Sequence, residues 1–377
     1  MYKVLVFGMT NNYGGVEAVI MNYYRRFDHT KIHFDFICNM TDKIAYETEL
    51  KRKYNCKFFK TVRKRENIIK YYIQLTNIFS KIAKDYDCLW FNVNNLVNID
   101  CLKLAKKYGI NHIIIHAHNS KIMEAGIKGK IKERIHKIHS KQIYRYANDF
   151  LACSDEAAKW FYQEDSIKYR VINNSIDVSK YQFNLSTRNK IRKKYNIDNN
   201  LVIGNVGRLS FQKNQTFLLD IFKIVKKNKQ NSKLILVGSG NRDQLIKKAK
   251  ELNIYNDVIF MGMIKDASKI YNSFDIFAFP SKFEGFGIAA IEAQANGLPV
   301  VASKYVIPQN IKVNDNVMFI DLKQKANYWA KQILKLSRNC HRSEENNKMI
   351  KNRFVSKKYD IHTSAVDLEK ILEDKNI

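Results

Sequence analysis

The stretch Phe279-Pro-Ser-Lys-Phe-Glu-Gly-Phe-Gly-Ile-Ala-Ala-Ile-Glu-Ala-Gln-Ala-Asn-Gly-Leu-Pro299 links two apolar strand patterns, 275–279 and 298–302, through a turn and a helix. The turn carries Glu284 and ends at Gly287, and the helix carries Glu292. The first turn of a helix has unpaired N–H groups that favour an anionic group such as phosphate. Two carboxylates beside such a turn suit the hydroxyls of a sugar nucleotide, so this stretch predicts both a ligand and its site.

Strand and helix patterns alternate on both sides of this stretch. Apolar runs typical of buried strands stand at 4–7, 33–38, 87–91, 113–115, 149–152, 201–206, 233–237 and 258–260, with helical patterns between them. Such alternation predicts parallel sheets built of βαβ units. We therefore predict an α/β protein with two Rossmann-like domains whose parallel sheets face each other across a cleft, where ligands bind at the carboxyl ends of the strands.

The polar segment 173–200 interrupts the alternation and is the expected linker. The expected domains are residues 1–172 and 201–356, and the helical pattern in 357–377 is expected to pack back on the body. A chain of 377 residues is long enough for two domains with cores of their own.

Composition and charge limit the class of protein. The net charge of +29 suits an anionic partner, but no helix-turn-helix, RNP or zinc-finger pattern accompanies it, so we expect no nucleic acid. No apolar run is long enough to span a bilayer. The six cysteines are scattered without a Cys-x-x-Cys pair, which is typical of reduced thiols in a cytoplasmic protein and argues against a zinc site.

Two further segments of the second half follow strand patterns. Gly207 turns the chain after the strand 201–206, and Arg208 and Lys213 lie in the loop that follows. A planar guanidinium and a point charge together suit a diphosphate, although two solvated surface cations would give the same pattern. Gly238 ends the strand 233–237, where a nucleotide loop and an ordinary strand-to-helix turn are both consistent with the sequence.

The first half offers a histidine pair and a glycine pair. His116 and His118 follow the strand 113–115 and fall on the same side of an extended chain, so spacing does not choose between them. Either can hydrogen-bond a sugar hydroxyl or act as an acid or base, and either can be packed under a loop. Gly14 and Gly15 open a helix after the first strand, where they allow close approach of a ligand or simply form an entry turn.

Residues 121–145 form a basic segment in which Ile127, Ile131, Ile135 and Ile138 recur at helical spacing. An apolar stripe beside lysines and arginines suits an anionic bilayer surface. A core-facing stripe with a solvated basic face gives the same pattern.

Taken together, these motifs resemble those of the GT-B-fold retaining glycosyltransferases of family 4, within the glycosyl transferases group 1. The resemblance rests on Gly207-Arg208, Lys213-Asn214, Pro280-Ser281 and the Glu-x7-Glu pattern of Glu284 and Glu292. Gly14-Gly15-Val-Glu17, His116-Ala-His-Asn-Ser120 and Ile307-Pro308-Gln309 are similar to the branch that makes bacterial capsular polysaccharides and exopolysaccharides. The family resemblance is specific over residues 201–303 and weaker before residue 173.

The resemblance implies a role for each matched residue. Arg208 and Lys213 would hold the nucleotide diphosphate, Glu292 the ribose hydroxyls and Glu284 the donor sugar. His118 matches the active-site histidine better than His116, because Asn119-Ser120 follows it. The resemblance also places the following glycines and aromatic residue at the nucleotide sugar: Gly15, Gly207, Gly238, Gly285, Phe286 and Gly287.

Two departures from the family pattern concern turns. Asn174-Ser-Ile-Asp177 stands where Asn-Gly-Ile-Asp is usual, which implies a positive φ at Ser175. Lys304-Tyr-Val-Ile-Pro308 stands where Asp-Val-Gly-Gly is common, at a place that contacts the donor sugar.

The implied reaction is transfer of a sugar, with retention, from a UDP-sugar to a hydroxyl of a lipid-linked saccharide in cell-surface polysaccharide synthesis. The resemblance implies no metal and no cofactor, and a cytoplasmic enzyme at the anionic inner face of the membrane. A UDP-sugar epimerase on the same fold is the alternative enzyme. A basic scaffold that binds membrane or nucleic acid is the non-catalytic alternative, but it has no use for the paired glutamates.

Overall fold

The computed structural model describes residues 1–122, 124, 126–163, 167–264, 266–284, 286–306, 311–338 and 342–373. The chain divides into two compact units. The first contains Met1–Ser175 and the C-terminal segment from Ile361, and the second contains Ile176–Asp360.

In the described part of the first unit, seven parallel strands form one sheet in the order β3-β2-β1-β4-β5-β6-β7. The strands are β1 (Tyr2–Phe7), β2 (Ile32–Cys38), β3 (Phe58–Lys60), β4 (Cys88–Val93), β5 (His112–Ala117), β6 (Asp149–Ala152) and β7 (Arg170–Val171). The helices are α1 (Gly15–Tyr24), α2 (Glu47–Tyr54), α3 (Ile68–Ile82), α4 (Asp100–Lys107), α5 (Gly126–Ser140), α6 (Asp155–Phe161) and α14 (Ile361–Glu373).

In the described part of the second unit, six parallel strands form a sheet in the order β10-β9-β8-β11-β12-β13. They are β8 (Leu201–Val206), β9 (Ser232–Val237), β10 (Val258–Gly262), β11 (Ile276–Phe279), β12 (Val300–Ser303) and β13 (Val317–Ile320). The helices are α7 (Val178–Tyr181), α8 (Leu185–Lys194), α9 (Gln215–Asn228), α10 (Arg242–Glu251), α11 (Ile288–Ala295), α12 (Ala326–Arg338) and α13 (Asn346–Ser356).

Both sheets are parallel and covered by helices, which explains why their central strands are mostly apolar. Every residue of β4 and β5 is buried. Helix α1 packs on the first sheet, where Tyr24 stacks on Phe34 with ring centroids 4.3 Å apart. The expected α/β fold with two parallel sheets is confirmed.

Two local features differ from expectation, and the unit to which the C-terminal helix belongs is now specified. The segment 176–200, expected as a linker, contains α7 and α8 and belongs to the second unit. The positive φ expected at Ser175 is wrong: this residue is not among the non-glycine residues with positive φ, and its hydroxyl donates to Ser364 Oγ at 2.8 Å. Helix α14, expected to pack back on the body, belongs to the first unit.

Among the described residues, no helix is both long enough and apolar enough to cross a membrane.

Candidate active site

The candidate site of the second unit lies where the strand order of its sheet reverses. Strands β8 and β11 are neighbours, with Ile276 paired to Ile203, but the chain reaches β11 only after passing through β9 and β10. Loops that leave adjacent strands at such a point separate and open a crevice at the carboxyl edge. The loop 207–214 follows β8 and the segment 280–287 follows β11, so the fold brings the two predicted motifs together.

Hydrogen bonds tie these two loops to each other. The Gln212 side-chain amide donates to the Phe283 carbonyl at 3.0 Å, and the Lys282 amide donates to the Gln212 carbonyl at 2.8 Å. Asn214 donates through its side chain to the Pro280 carbonyl at 3.0 Å. Lys213 lies between Gln212 and Asn214, and Glu284 directly follows Phe283, so these hydrogen bonds hold the two residues near each other.

Lys213 and Glu284 form an ion pair, with Lys213 Nζ 2.6 Å from Glu284 Oε1. The same ammonium lies 4.8 Å from the centroid of the Phe279 ring, close enough for a cation–π contact. The Glu284 side chain is 7% exposed and that of Lys213 is 16% exposed. The pair is thus largely desolvated. A ligand anion can replace Glu284 as the partner of Lys213, and Glu284 is then available to accept hydrogen bonds.

Two glycines shape the backbone where the loop 207–214 begins, after β8, and where the chain leaves β9. Gly207 and Gly238 have φ values of +152° and +142°. A Cβ atom on Gly238 would lie 2.1 Å from the Gly207 carbonyl oxygen, so the two turns can touch only because this residue is glycine. The adjacent Arg208 side chain is exposed, as expected for a cation available to a ligand.

Helix α11 begins at the candidate site. Gly287 precedes it with φ +90° and ψ +48°, a left-handed conformation that favours glycine. Phe286 is buried and packs on Tyr359 with ring centroids 5.7 Å apart. Gly285, predicted to lie at the nucleotide sugar, lies outside the described residues, as does the 307–309 segment.

Glu292 lies on α11 and is held by two tyrosines. Tyr181 donates to its Oε1 at 2.8 Å and Tyr271 donates to its Oε2 at 2.6 Å. Desolvation raises the pKa of Glu292, and the two tyrosine bonds act in the opposite direction. Each carboxylate oxygen accepts more than one hydrogen bond, so both can still accept from a vicinal diol.

The first unit places His118 just after the carboxyl end of β5. Asn92 Oδ1 lies 2.9 Å from His118 Nε2, and the Asn92 amide donates to the Trp90 carbonyl at 3.3 Å. This arrangement assigns the ring proton to Nε2. Nδ1 is buried and has no partner within the described part of the chain. Burial lowers the pKa of His118 to about 3, so the ring is neutral and presents an acceptor.

His116 lies behind His118, with ring centroids 4.1 Å apart, and is stacked between it and Trp90. It is completely buried, and neither ring nitrogen has a partner among the described atoms. Its hydrogen bond to Asn92 distinguishes His118 from His116. Gly15 is the first residue of α1, and a Cβ atom there would meet nothing within 4 Å, so the space in front of it is open.

Sequence reasoning missed three residues that orient predicted ones. Tyr181 and Tyr271 bind Glu292 from distant parts of the chain, and no local pattern marks either of them. Asn92 could have been found, because it is a polar residue at the carboxyl end of an otherwise apolar strand.

Comparisons with known proteins bear on the family and the fold of the chain. Residues 187–355 match the family described as glycosyl transferases group 1. The chain is 24% identical to the putative glycosyltransferase EpsF of Bacillus subtilis (strain 168), over 85% of this chain and 84% of EpsF. It is 32% identical to the capsular polysaccharide biosynthesis glycosyltransferase CapM of Staphylococcus aureus, over 44% of this chain and 43% of CapM.

A further relative is the UDP-Gal:alpha-D-GlcNAc-diphosphoundecaprenol alpha-1,3-galactosyltransferase of Escherichia coli, 27% identical over 54% of this chain and 60% of that protein.

The fold is similar to that of Anabaena Alr3699/HepE, solved in complex with UDP and glucose. The TM-score is 0.79 at 19% sequence identity, over 99% of this chain and 100% of that one. Residues 187–355 therefore carry a glycosyl transferases group 1 domain, and the chain is a glycosyltransferase with the GT-B fold.

Proposed function

We propose that this glycosyltransferase belongs to family 4 and moves a sugar, with retention, from a UDP-sugar to a hydroxyl of a lipid-linked saccharide in bacterial cell-surface polysaccharide synthesis. The observation that carries the proposal is the buried pair of Lys213 and Glu284 on the loops that follow β8 and β11. Arg208 lies on the same loop as Lys213, and Glu292 lies on α11, which begins at this crevice. Two cations and two carboxylates in one site match the diphosphate and the hydroxyls of a sugar nucleotide.

The donor binds as follows in this proposal. The diphosphate replaces Glu284 as the ion-pair partner of Lys213. It also binds Arg208, since both cations lie on the same loop. Glu284 then accepts from hydroxyls of the donor sugar, and Glu292 accepts from the ribose diol. Gly207, Gly238 and Gly287 allow the backbone to approach the phosphates, and the start of α11 favours their charge.

Retention is proposed from the resemblance to family 4, and the positions of the two carboxylates bear only on how it is achieved. Glu284 is paired with a lysine and Glu292 with two tyrosines, so neither is placed as a nucleophile. The bond from the anomeric carbon to the phosphate oxygen breaks, and that oxygen keeps the electron pair. The acceptor hydroxyl adds to the same face and gives its proton to the leaving phosphate, whose charge Arg208 and Lys213 stabilise.

His118 is proposed as a residue that binds a sugar hydroxyl through Nδ1, as a neutral acceptor and not as an acid. Gly15, beside open space at the start of α1, is proposed to lie near the phosphates. No divalent metal is proposed, since Arg208 and Lys213 can neutralise the diphosphate; loss of transfer in EDTA would contradict this.

The acceptor proposal draws on the relatives. One of them is named for a UDP-sugar donor and a diphosphoundecaprenol-linked acceptor, and another for capsular polysaccharide biosynthesis. An acceptor anchored in the inner membrane requires an enzyme at its cytoplasmic face, and the net charge of +29 suits that anionic surface. We propose peripheral association there.

A panel of nucleotide sugars tests the donor. A UDP-sugar that binds the folded state raises the melting temperature by mass action. The best donor is then incubated with a diphosphate-linked lipid saccharide, and the anomeric configuration of the first product is read by NMR. Retention with release of UDP supports the proposal, and inversion contradicts the mechanism. Conversion of the donor sugar without any acceptor would identify the epimerase instead.

A further inference from the structure

Helix α5 in the first unit exposes three of its four isoleucines, and the fourth, Ile135, is half-buried. Ile127, Ile131 and Ile138 are 79%, 54% and 51% exposed. At about 100° per residue, the three fall within about 40° of one another around the helix. The core-facing stripe that the sequence allowed is therefore wrong, and the spacing marks an outward apolar face.

The buried face of α5 is small and polar. It consists of Gly129, His136 and Ser140, which lie about 180° around the helix from the isoleucines. His136 stacks on Trp160 with ring centroids 3.8 Å apart and accepts from the Leu96 amide at 3.0 Å. These contacts fix the rotation of the helix, so the isoleucines cannot turn inward without breaking them.

Helix α3 repeats this pattern in its first two turns. Ile68, Ile69 and Ile73 are all exposed, whereas the buried face of the helix is formed by Tyr71, Leu75 and Phe79. An exposed cluster of isoleucines is rare on a soluble surface and marks a contact site when it is contiguous. We call these three residues on α3 together with Ile127, Ile131 and Ile138 on α5 the isoleucine surface, which thus consists of two clusters on separate helices.

The loop 94–99 joins β4 to α4 and contacts the buried faces of both α3 and α5. Its Asn98 side chain donates to the Tyr71 hydroxyl on α3 at 3.0 Å, and its Leu96 amide donates to His136 on α5. Both helices begin beyond carboxyl ends of strands, α3 after β3 and α5 after β5. The first turns of both helices thus lie at the sheet edge from which His118 projects.

Cations surround the isoleucine surface. Residues 126–145 carry seven lysines and arginines against one carboxylate, and residues 63–73 carry four against one. Within the described chain, no ion pair is formed by Lys128, Lys130, Arg134 or Lys141. Arg63 and Lys64 beside α3 are paired with Asp42 and Asp100. Isoleucines beside the four cations of residues 126–145 named above suit a surface that is anionic outside and apolar beneath.

We propose that the isoleucine surface docks on a bilayer that contains anionic lipids, and that this contact brings the His118 edge of the first unit to the membrane. The proposal deepens the proposed function by naming the surface that meets the membrane. Only the use of this contact, to reach a lipid-linked acceptor, rests on the proposed function. A second copy of the chain is a poorer occupant, because a twofold contact would oppose two sets of like charges. A polynucleotide would use the cations but not the isoleucines.

The test uses the full chain and sedimentation with vesicles of phosphatidylcholine, with and without phosphatidylglycerol. We expect binding to the anionic vesicles, and we expect Ile69→Glu/Ile131→Glu to lower the partition coefficient at least about tenfold, since two apolar contacts become two anions. The matched control is Leu185→Glu/Met263→Glu, whose residues are 54% and 66% exposed in the second unit. It should bind like the unchanged protein.

Three results would overturn the proposal. One is absence of binding to the anionic vesicles, and another is undiminished binding by the Ile69→Glu/Ile131→Glu variant. The third is vesicle binding that the isoleucine changes leave intact and that soluble polyuridylate abolishes, which would assign the cations to nucleic acid. Docking without transfer from any UDP-sugar would remove the proposed function and leave the surface standing. Transfer in detergent without sedimentation on anionic vesicles would do the reverse.

Discussion

Lys213 and Glu284 satisfy each other's charge while both are largely removed from water. A buried pair contributes little net stability, but loss of one partner is costly because a desolvated charge remains. In the proposed function, the diphosphate binds Lys213 and the donor sugar binds Glu284, so the ligand replaces the contact between the two residues. Stability and transfer therefore respond differently to changes at these two residues.

Lys213→Met should lower the free energy of unfolding by about 3 kcal/mol, because the Glu284 carboxylate loses its buried cation. Lys213→Met/Glu284→Gln should recover most of that loss, since both charges are gone, yet neither variant should transfer sugar. Urea denaturation and turnover measure the two effects.

Lys248→Met is the control. It breaks a 2.6 Å ion pair with Asp220 whose side chains are more exposed, so it should cost at most about 1 kcal/mol and leave transfer intact. A double variant as unstable as Lys213→Met alone would contradict the role of the pair.

The ionised Glu292 carboxylate destabilises the folded state. Desolvation raises its pKa, so the carboxyl binds its proton more tightly in the folded state than in the unfolded state. The folded protein therefore loses stability as the pH rises from the ordinary carboxyl pKa through the folded one. Above that window the ionised Glu292 is a net cost to the folded state.

Glu292→Gln should accordingly raise the melting temperature at neutral pH. The gain should disappear below about pH 4, where the Glu292 carboxyl is protonated in both the folded and the unfolded state. The same change should weaken UDP binding at least about tenfold, because charged acceptors for the ribose are lost. Calorimetry measures both quantities. Glu251→Gln, at an exposed position of α10, should change neither. An equal gain at all pH values would contradict ionisation as the cause.

Among the elements, the turns after β8 and β9 depend on each other. Gly238 lies against the Gly207 carbonyl, and Gly207 sets the start of the loop that holds Lys213 and Arg208. A side chain at position 238, after β9, would thus displace the loop after β8 that carries Arg208 and Lys213. Rigid contact between two turns is one way in which a sheet edge positions charged side chains.

Gly238→Ala should cost about 1–3 kcal/mol of stability and at least about tenfold in transfer, because its Cβ would overlap the Gly207 oxygen at a φ of +142°. Gly109→Ala is the matched control. It also has positive φ, +87°, but its Cβ would meet nothing within 4 Å. The control should show the backbone strain of about 1–2 kcal/mol without a change in turnover. Equal turnover of the two variants would contradict the coupling of the turns.

Helix α5 shows that one helical pattern has two outcomes. Isoleucines at three- and four-residue spacing fit a core-facing helix and a surface-binding helix equally well. The choice is made by His136, whose ring stacks on Trp160 and accepts from the Leu96 amide, and these partners belong to other elements.

At the scale of the whole molecule, the chain completes the first unit only at its end. Helix α14 places Ile361, Ala365, Leu368 and Leu372 in the same apolar core as α1. Burial of each large side chain stabilises by about 1.5–3 kcal/mol, and a typical domain has about 5–15 kcal/mol in total. The second unit contains all of Ile176–Asp360 and is continuous in sequence.

A chain that stops after Asp360 should therefore lose the unfolding transition of the first unit and keep that of the second. UDP should still raise the remaining melting temperature, because Lys213, Glu284 and Glu292 lie in the second unit. Differential scanning calorimetry with and without UDP checks both statements. Val366→Glu, on the exposed side of α14, should retain both transitions. A shortened chain that unfolds like the full one would contradict this account of α14.

The sequence by itself determined the parallel sheets, most strands and the loops that carry Arg208, Lys213 and Glu284. These features follow from local periodicity and from the rule that ligands bind where parallel strands end. The roles proposed for the site residues are predictions that stay open to the experiments above. Strands β3, β7 and β13 were missed. Strands β3 and β7 have only three and two residues, which is too short for a periodic pattern.

Only the tertiary structure decided the partners of Glu292, the hydrogen bond between Asn92 and His118, the outward face of α5 and the return of α14. Tyr181 and Glu292 are 111 residues apart, and Asn92 and His118 are 26 apart. Contacts over such separations leave no pattern in a local window, because they depend on which strands become neighbours. The sequence therefore shows which residue types stand at the strand ends, and the fold decides which of them meet.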